Sequence, residues 1–310
     1  MSSIQSKFRA AARPALMLGA TLALALAPGG TARSADPVPY GSGLLWKIER
    51  AGVEPSHVFG TIHSTDKRVH RLPKPVAHAL RTAKSLILEV VRTDDMPARM
   101  ARLMMLRDGR RLEDILGGEL FGRVAAVARL YGIPPNVLQR IKPWAALMTI
   151  SLPPAEKARQ AAGRLPLDLA LGARAQKRGI PVYGLETVEE QLGLFEGLPE
   201  ADQISLLAAA VSDNAKLEPL FERMIRSYLD RDLGALMTTA IDQTAGSDPR
   251  HREIFEIRFL KRRNRLMAER VRSRLDAGGA FVAVGAAHLP GENGLLSLLA
   301  RHGYRVERVY

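Results

Sequence analysis

The chain has 310 residues, is 46% hydrophobic, and carries 45 Lys and Arg against 32 Asp and Glu, for a formal net charge of +13. That apolar content excludes a disordered chain, and the length suffices for one large domain or a domain with a cap. The lack of any cysteine excludes disulfides, thiol nucleophiles, Cys-based zinc sites and a lipid-modified N-terminus.

Residues 1–35 have the layout of a cleavable export signal. A basic head with Lys7, Arg9 and Arg13 precedes the apolar run Pro14–Ala27, and Pro28, Gly29 and Gly30 break it. Small residues at Ala32, Ser34 and Ala35 offer the cleavage site, and the run falls short of the ~20 residues a permanent anchor needs. A periplasmic or secreted mature chain, residues 36–310, is therefore expected. Setting aside the basic residues before Asp36 lowers its net charge to about +9, counted from the sequence.

Two β-type segments, Leu44–Ile48 and His57–His63, open the mature part. The linker between them carries Gly52 and Pro55, which predicts an antiparallel hairpin. A helix over Lys74–Lys84 and the buried strand Ser85–Val91 complete a β-α-β arrangement, hence a parallel pair of strands. Helical periodicity dominates the middle: Met96–Arg107, Glu119–Tyr131, Asn136–Leu152 with a break at Pro143, and Leu167–Arg178 closed by Gly179. Ile180–Leu185 reads as a strand, a helix follows from Thr187, and Pro199 opens a long helical region reaching about Ala245.

The run Arg250–Asp276 holds much of the excess charge. Its apolar residues, among them Ile254, Leu260, Met267, Val271 and Leu275, have the spacing of an amphipathic helix with a basic outer face. A solvated helix face accounts for it, and weak attraction to an anionic membrane surface or an acidic polymer is the functional alternative. Nucleic acid is not an expected partner, since aromatics do not interleave with the basic residues as a stacking surface requires. Strand Ala280–His288, a helix near Leu295–His302 and strand Tyr304–Val309 close the chain. The expected fold is α/β, a central mixed, largely parallel sheet built from N- and C-terminal strands. A mostly helical cap from about 95–165 and 197–250 would cover it.

Four apolar strands run into a residue able to ligate a metal or move a proton: His63, Glu89, Glu186 and His288. A carboxylate at the end of a buried strand costs desolvation unless a partner or a metal offsets it. The carboxyl ends of parallel strands are where open α/β sheets bind ligands. Each histidine is also preceded at the same distance by glycine, as Gly60-Thr-Ile-His63 and Gly285-Ala-Ala-His288. A missing Cβ there permits close approach of backbone, metal or substrate. Each residue has a plainer reading as well: a hydrogen-bonded histidine, a salt-bridged Glu89, a Glu186 that complements the helix after it. The five other histidines lack this context and are read as surface or structural.

Together these segments resemble the TraB/PrgY/GumN family, from about Gly43 to the C-terminus. The likeness rests on LLWKIER, VFGTIHSTDKRV, LILEV, LDLALGARAQKRGIPVYGLETVEEQ, RNRLMAERV and FVAVGAAHLPGENGLLSLLARHGYRVERV, with both Gly-x-x-His motifs intact. The resemblance implies a fold related to erythromycin-esterase-like and ChaN-like proteins. In the membrane-anchored Tiki branch it implies peptide-bond hydrolysis supported by Mn²⁺ or Co²⁺. This chain departs from that branch in its cleavable signal and in having no apparent anchor.

Two imidazoles with one or two carboxylates suit Zn²⁺, Mn²⁺, Fe²⁺ or Co²⁺ better than Ca²⁺. The expected metal ligands are His63, His288, Glu89 and Glu186, with whichever glutamate is not a ligand acting as general base. Arg263 and Asn264 are candidates to bind a substrate carboxylate or stabilise an oxyanion, Arg263 being equally readable as a solvated charge. Asp66 is a second candidate for orienting a ligand, and Asp168 for capping its helix or supporting the site. The leading expectation is a metal-dependent hydrolase acting on a peptide or protein substrate. The rivals are a non-catalytic binder of peptide or polysaccharide and a metal-free ester or amide hydrolase with a histidine base.

Overall fold

The structure is a computed structural model that describes residues 38–245 and 248–310; the expected export signal lies outside them. Among the described residues, six strands form one sheet: β1 (Leu45–Glu49), β2 (Ser56–Thr61), β3 (Ser85–Leu88), β4 (Val182–Gly184), β5 (Ala280–Gly285) and β6 (Arg305–Arg308), in the order β4-β3-β5-β2-β1-β6. The expected hairpin is present, with Leu45 opposite Phe59, and β6 pairs antiparallel with the other side of β1. β2, β5, β3 and β4 run parallel to one another, so the sheet is mixed and largely parallel, as expected.

One expectation needs correcting. The β-α-β unit around α1 (Lys74–Thr82) does not put β2 beside β3. β5, from near the chain's end, is inserted between them and pairs with both. Phe281, Val282 and Ala283 are at most 1% exposed, which suits the centre of a sheet covered on both faces.

The helices after β3 are α2 (Met96–Met104), α3 (Leu112–Leu116), α4 (Gly118–Arg129), α5 (Pro135–Leu138), α6 (Pro143–Ile150), α7 (Pro154–Ala161) and α8 (Leu167–Lys177). Pro143 divides the segment read as one interrupted helix because proline fits the first helical position but not the interior. After β4 come α9 (Val188–Glu196), α10 (Glu200–Ser212), α11 (Leu217–Leu229), α12 (Leu233–Ala245) and α13 (Pro249–Glu253). The basic run is not one α-helix: a π-helical stretch, Ile254–Lys261, joins α13 to α14 (Arg262–Ala277). A 3₁₀ turn at Ala286–His288 ends β5 early, so His288 stands beyond the strand, and α15 (Leu295–Arg301) follows.

Two main apolar clusters hold these elements. Val58, Phe59, Leu86, Ile87 and Phe281 centre the sheet cluster, which takes in Met267, Ala268, Val271 and Leu275 of α14. A helical cluster around Leu112, Leu138, Trp144, Ile150 and Leu207 joins α3, α4, α6 and α10. Burying a side chain of this size contributes about 1.5–3 kcal/mol against leaving it in water, so each cluster is a substantial core.

Candidate active site

Sheet register brings the expected residues to one edge. Thr61 lies opposite Gly285, and Leu88 lies opposite both Ala283 and Gly184. The parallel strands therefore end level, and the residues just past them share one neighbourhood. The backbone binds the two glutamates closer: the Glu186 amide donates to the Glu89 carbonyl at 2.8 Å. Thr187 and Glu190 cap α9 reciprocally, so Glu186 is left free of that helix end.

The two glycines have separate structural reasons. A Cβ on Gly60 would stand 3.0 Å from Leu289 Cδ1 and 3.2 Å from Ala286 Cα, so Gly60 lets β2 pack against the 3₁₀ turn that carries His288. A Cβ on Gly285 would stand 3.1 Å from Glu89 Oε1, and the Gly285 amide itself donates to that oxygen at 2.6 Å. One glycine serves the packing and the other admits a carboxylate.

Arg263 occupies the centre. Its Nη2 donates to Glu89 Oε2 at 2.7 Å and to Glu186 Oε2 at 2.6 Å, and its Nε reaches Glu186 Oε1 at 3.0 Å. With 13% of its side chain exposed it is a part-buried, doubly paired cation, which removes the solvated-charge alternative. Nη1 approaches His288 Nε2 at 3.0 Å. A guanidinium can only donate, so Nε2 accepts and Nδ1 carries the proton, given to Asn264 Oδ1 at 2.6 Å. Asn264 is held in that orientation by its own Nδ2, which donates to the Asn293 carbonyl at 2.8 Å. Asn264 thus fixes the ring and its tautomer, a positioning role sequence reading did not assign to it.

The charge states follow from this packing. Burial lowers the His288 pKa to about 3, with the Arg263 charge adding to the effect, so the ring is neutral at physiological pH. Burial works against the Glu89 charge, but His288 where protonated, Arg263, His63 and the Gly285 amide hold its carboxyl well below the usual range. With His288 neutral, Arg263 is the partner that counts. Burial also opposes the Arg263 charge, and Glu186 and Glu89 more than restore it.

His63 is set apart from this knot. Its side chain is 59% exposed and its Nδ1 lies 3.1 Å from Asp168 Oδ1. The Asp168 charge raises the His63 pKa, an effect that water on the open side of the ring tempers. Asp168 Oδ1 is otherwise buried, so His63 is the group that faces its charge. Asp66 does not orient His63: it binds Arg68 at 2.7–3.2 Å through its backbone amide and guanidinium.

Two contributors were missed. Gln191, one turn into α9, donates to Glu89 Oε2 at 3.2 Å and Glu186 Oε2 at 3.1 Å. Its five-residue spacing from Glu186 was the available signal. Glu156, fully buried, accepts from the Thr65 amide at 2.8 Å and from its hydroxyl at 3.0 Å, pinning the loop after His63 to α7. No local pattern marks that contact, since its partner is 91 residues away.

As a metal centre, the donor set has the right chemistry: two imidazoles, one of them neutral with its Nε2 lone pair directed inward, and two carboxylates. In the arrangement described, Arg263 stands where Glu89, Glu186 and His288 converge. Among the described residues, no three His, Asp or Glu side chains are disposed to share an ion. Beside the cluster, a cavity of about 180 Å³ opens onto His63, Glu89, Asp168 and Gln191. A larger cavity, about 240 Å³, lies among α6, α10 and the π-helical stretch. Leu147, Phe195 and Phe259 line it and no strand-end residue reaches it, so the chemistry belongs to the smaller one.

The TraB/PrgY/gumN family model matches residues 44–308. Metalloprotease TIKI2 of Danio rerio is 26% identical over 85% of this chain and 60% of its own length. Metalloprotease TIKI1 of Homo sapiens is 26% identical over 85% of this chain and 61% of its own. Uncharacterized protein YbaP of Escherichia coli is 25% identical over 78% of this chain and 87% of its own. The chain thus spans about 60% of the length of the Tiki relatives it matches. No solved structure matches it.

Proposed function

This chain belongs to the TraB/PrgY/gumN family, and we propose that it is an exported, metal-dependent hydrolase of peptide bonds. The observation that supports the reading best is the convergence of Glu89, Glu186, His288 and Arg263 at the level ends of parallel strands, beside a cavity. The names of the Tiki relatives, metalloproteases, supply the reaction class.

The proposed donors to a divalent ion, Mn²⁺, Co²⁺ or Zn²⁺, are His63, His288 and one or both of Glu89 and Glu186, which would share it once Arg263 leaves the point where they converge. Such an ion polarises a carbonyl and lowers the pKa of water. The chain's own groups do the rest. Asn264 keeps the His288 lone pair on Nε2. Arg263, held by Glu89 and Glu186 through Nε and Nη2, would offer a preorganised cation to an oxyanion or a substrate carboxylate. A glutamate that does not bind the ion would act as general base towards water. Among the described residues no helix is long and apolar enough to cross a membrane. Intact mass of the periplasmic product tests the export.

One observation favours a second reading. His288 is neutral and held in one tautomer, and with Arg263 turned to substrate its Nε2 lone pair would be free to act as the base of a metal-free ester or amide hydrolysis. The deciding experiment is metal content of protein purified without chelator, with cleavage of a peptide library followed by mass spectrometry. The metallopeptidase reading expects cleavage lost with chelator, restored by Mn²⁺, Co²⁺ or Zn²⁺, and lost at least 100-fold, on the order of one acid–base catalyst, in Glu89→Gln or Glu186→Gln. Cleavage indifferent to chelator but lost in His288→Ala establishes the metal-free reaction. Peptide binding without cleavage under every metal leaves a binding protein.

A further inference from the structure

The cavity beside the cluster has one polar wall and one of unusual composition. His63, Glu89, Asp168 and Gln191 form the first. Met96 and Met100 of α2, Met148 of α6, and Val188 and Leu192 of α9 form the second. Three of the chain's 10 methionines meet there, from two helices widely separated in sequence. Thioether side chains are unbranched and polarizable, and they reshape around an apolar guest at little cost. The guest's size is bounded: an apolar cavity of roughly 150 Å³ takes a benzene ring, and this one is about 180 Å³.

We propose that this cavity is the side-chain recognition pocket of a peptide substrate, and that it selects a single long apolar residue, methionine, leucine or phenylalanine, next to the bond presented to Glu89. The inference rests on the hydrolase reading above and names its substrate class. Continuity carries it: Glu89 belongs both to the cavity wall and to the charged cluster, where Arg263 and Gly285 hold it. A peptide backbone lying over that carboxylate delivers its side chain among the methionines. A small side chain leaves the methionine wall unfilled, and a charged one is stripped of water against it.

The test uses the full mature chain and capped pentapeptides Ac-Gly-Gly-X-Gly-Gly-NH₂, with X as Met, Phe, Ala or Lys. Binding is read by calorimetry and cleavage by mass spectrometry, so loss of turnover does not hide recognition. The expected result is that X as Met or Phe is preferred over Ala and Lys roughly tenfold or more. Met148→Trp, which fills the cavity, abolishes that preference. Met100→Ala, which enlarges it from a half-buried position, moves the preference from Met toward Phe. Selective binding without cleavage sinks the hydrolase reading and leaves the pocket standing. Equal binding and cleavage across X, a preference for Lys, or a preference unchanged in both variants overturns the pocket. Should Met148→Trp fail to fold by circular dichroism, Met100→Ala alone decides.

Discussion

Replacing each glycine of the paired Gly-x-x-His motif with alanine should give two different defects. At Gly285 the backbone angles are φ −53° and ψ 132°, open to any residue. Alanine there costs no backbone strain and removes freedom from the unfolded chain, worth about 0.4–1 kcal/mol. Its Cβ, however, would sit 3.1 Å from Glu89 Oε1 and 3.5 Å from His288 Cδ2. The carboxylate must retreat by a few tenths of an ångström, against its bonds to Arg263 and the Gly285 amide. A full 1 Å misplacement costs on the order of 100-fold in rate, so about tenfold is expected here. At Gly60 the new Cβ meets Leu289 Cδ1 at 3.0 Å and Ala286 Cα at 3.2 Å, and backbone cannot step aside. Overpacking of this kind costs about 1–3 kcal/mol, and each kcal/mol lowers Tm by about 2–4 °C in a chain of this size. Thermal unfolding by circular dichroism, beside turnover of the best library peptide, reads both. The reasoning fails if Gly285→Ala melts well below wild type, or if Gly60→Ala melts with it.

Arg263→Ala leaves Glu89 and Glu186, with side chains only 11% and 2% exposed, facing each other without a cation. The expected loss is about 3–5 kcal/mol at pH 7. Arg263 helps hold the Glu89 carboxyl below the usual range, so its removal raises that pKa and the deficit should shrink as pH falls towards 4.5; denaturant midpoints at pH 7 and 5 check this, and equal deficits would refute it. In metal-free protein, His288 titrates at about 3 when folded and about 6.5 when unfolded, so the unfolded state binds the extra proton between those values. Stability should therefore fall as pH drops from 6.5 towards 3, by at most about 1.4 kcal/mol per unit, and His288→Gln should flatten that slope. His63, with its pKa raised by Asp168, works the other way: its contribution is full below pH 6.5 and disappears as pH rises through the folded value.

The strands and their terminal residues were legible because a buried parallel strand is an uninterrupted apolar run, and a polar residue at its end stands out. Val58–Ile62 before His63 and Leu86–Leu88 before Glu89 are of that kind. The place of β5 was not legible, since nothing in Ala280–Gly285 states which two strands it separates. Asn264 was half legible: it lies on the buried stripe with Met267, Ala268, Val271 and Leu275, a polar residue at helical spacing on an apolar face. Arg263 was not. The π-helical stretch Ile254–Lys261 shifts the phase of everything after it, so a 3.6-residue wheel drawn from Arg250 misplaces the face that Arg263 presents.

That central arginine also bears on the choice between readings. The cluster holds two carboxylates, one guanidinium and a neutral His288, which leaves one negative charge in surplus at a buried place. His63 carries positive charge near by, but Asp168 already claims it. An uncompensated buried carboxylate costs several kcal/mol or takes a proton, and for Glu89 only Arg263, Gln191 and the Gly285 amide offset that cost directly. A fold that keeps that charge gains from one more cation. A metal-free hydrolase with His288 as base has no need of it, because Arg263 and one glutamate would serve. The surplus is therefore an argument for the metal-dependent reading, and the chelator experiment with Glu186→Gln weighs it directly. Removing that one charge should weaken metal binding while leaving His288 and Arg263 in place. If Glu186→Gln retains full chelator-insensitive cleavage, the surplus charge serves no ion and the histidine-base reaction stands.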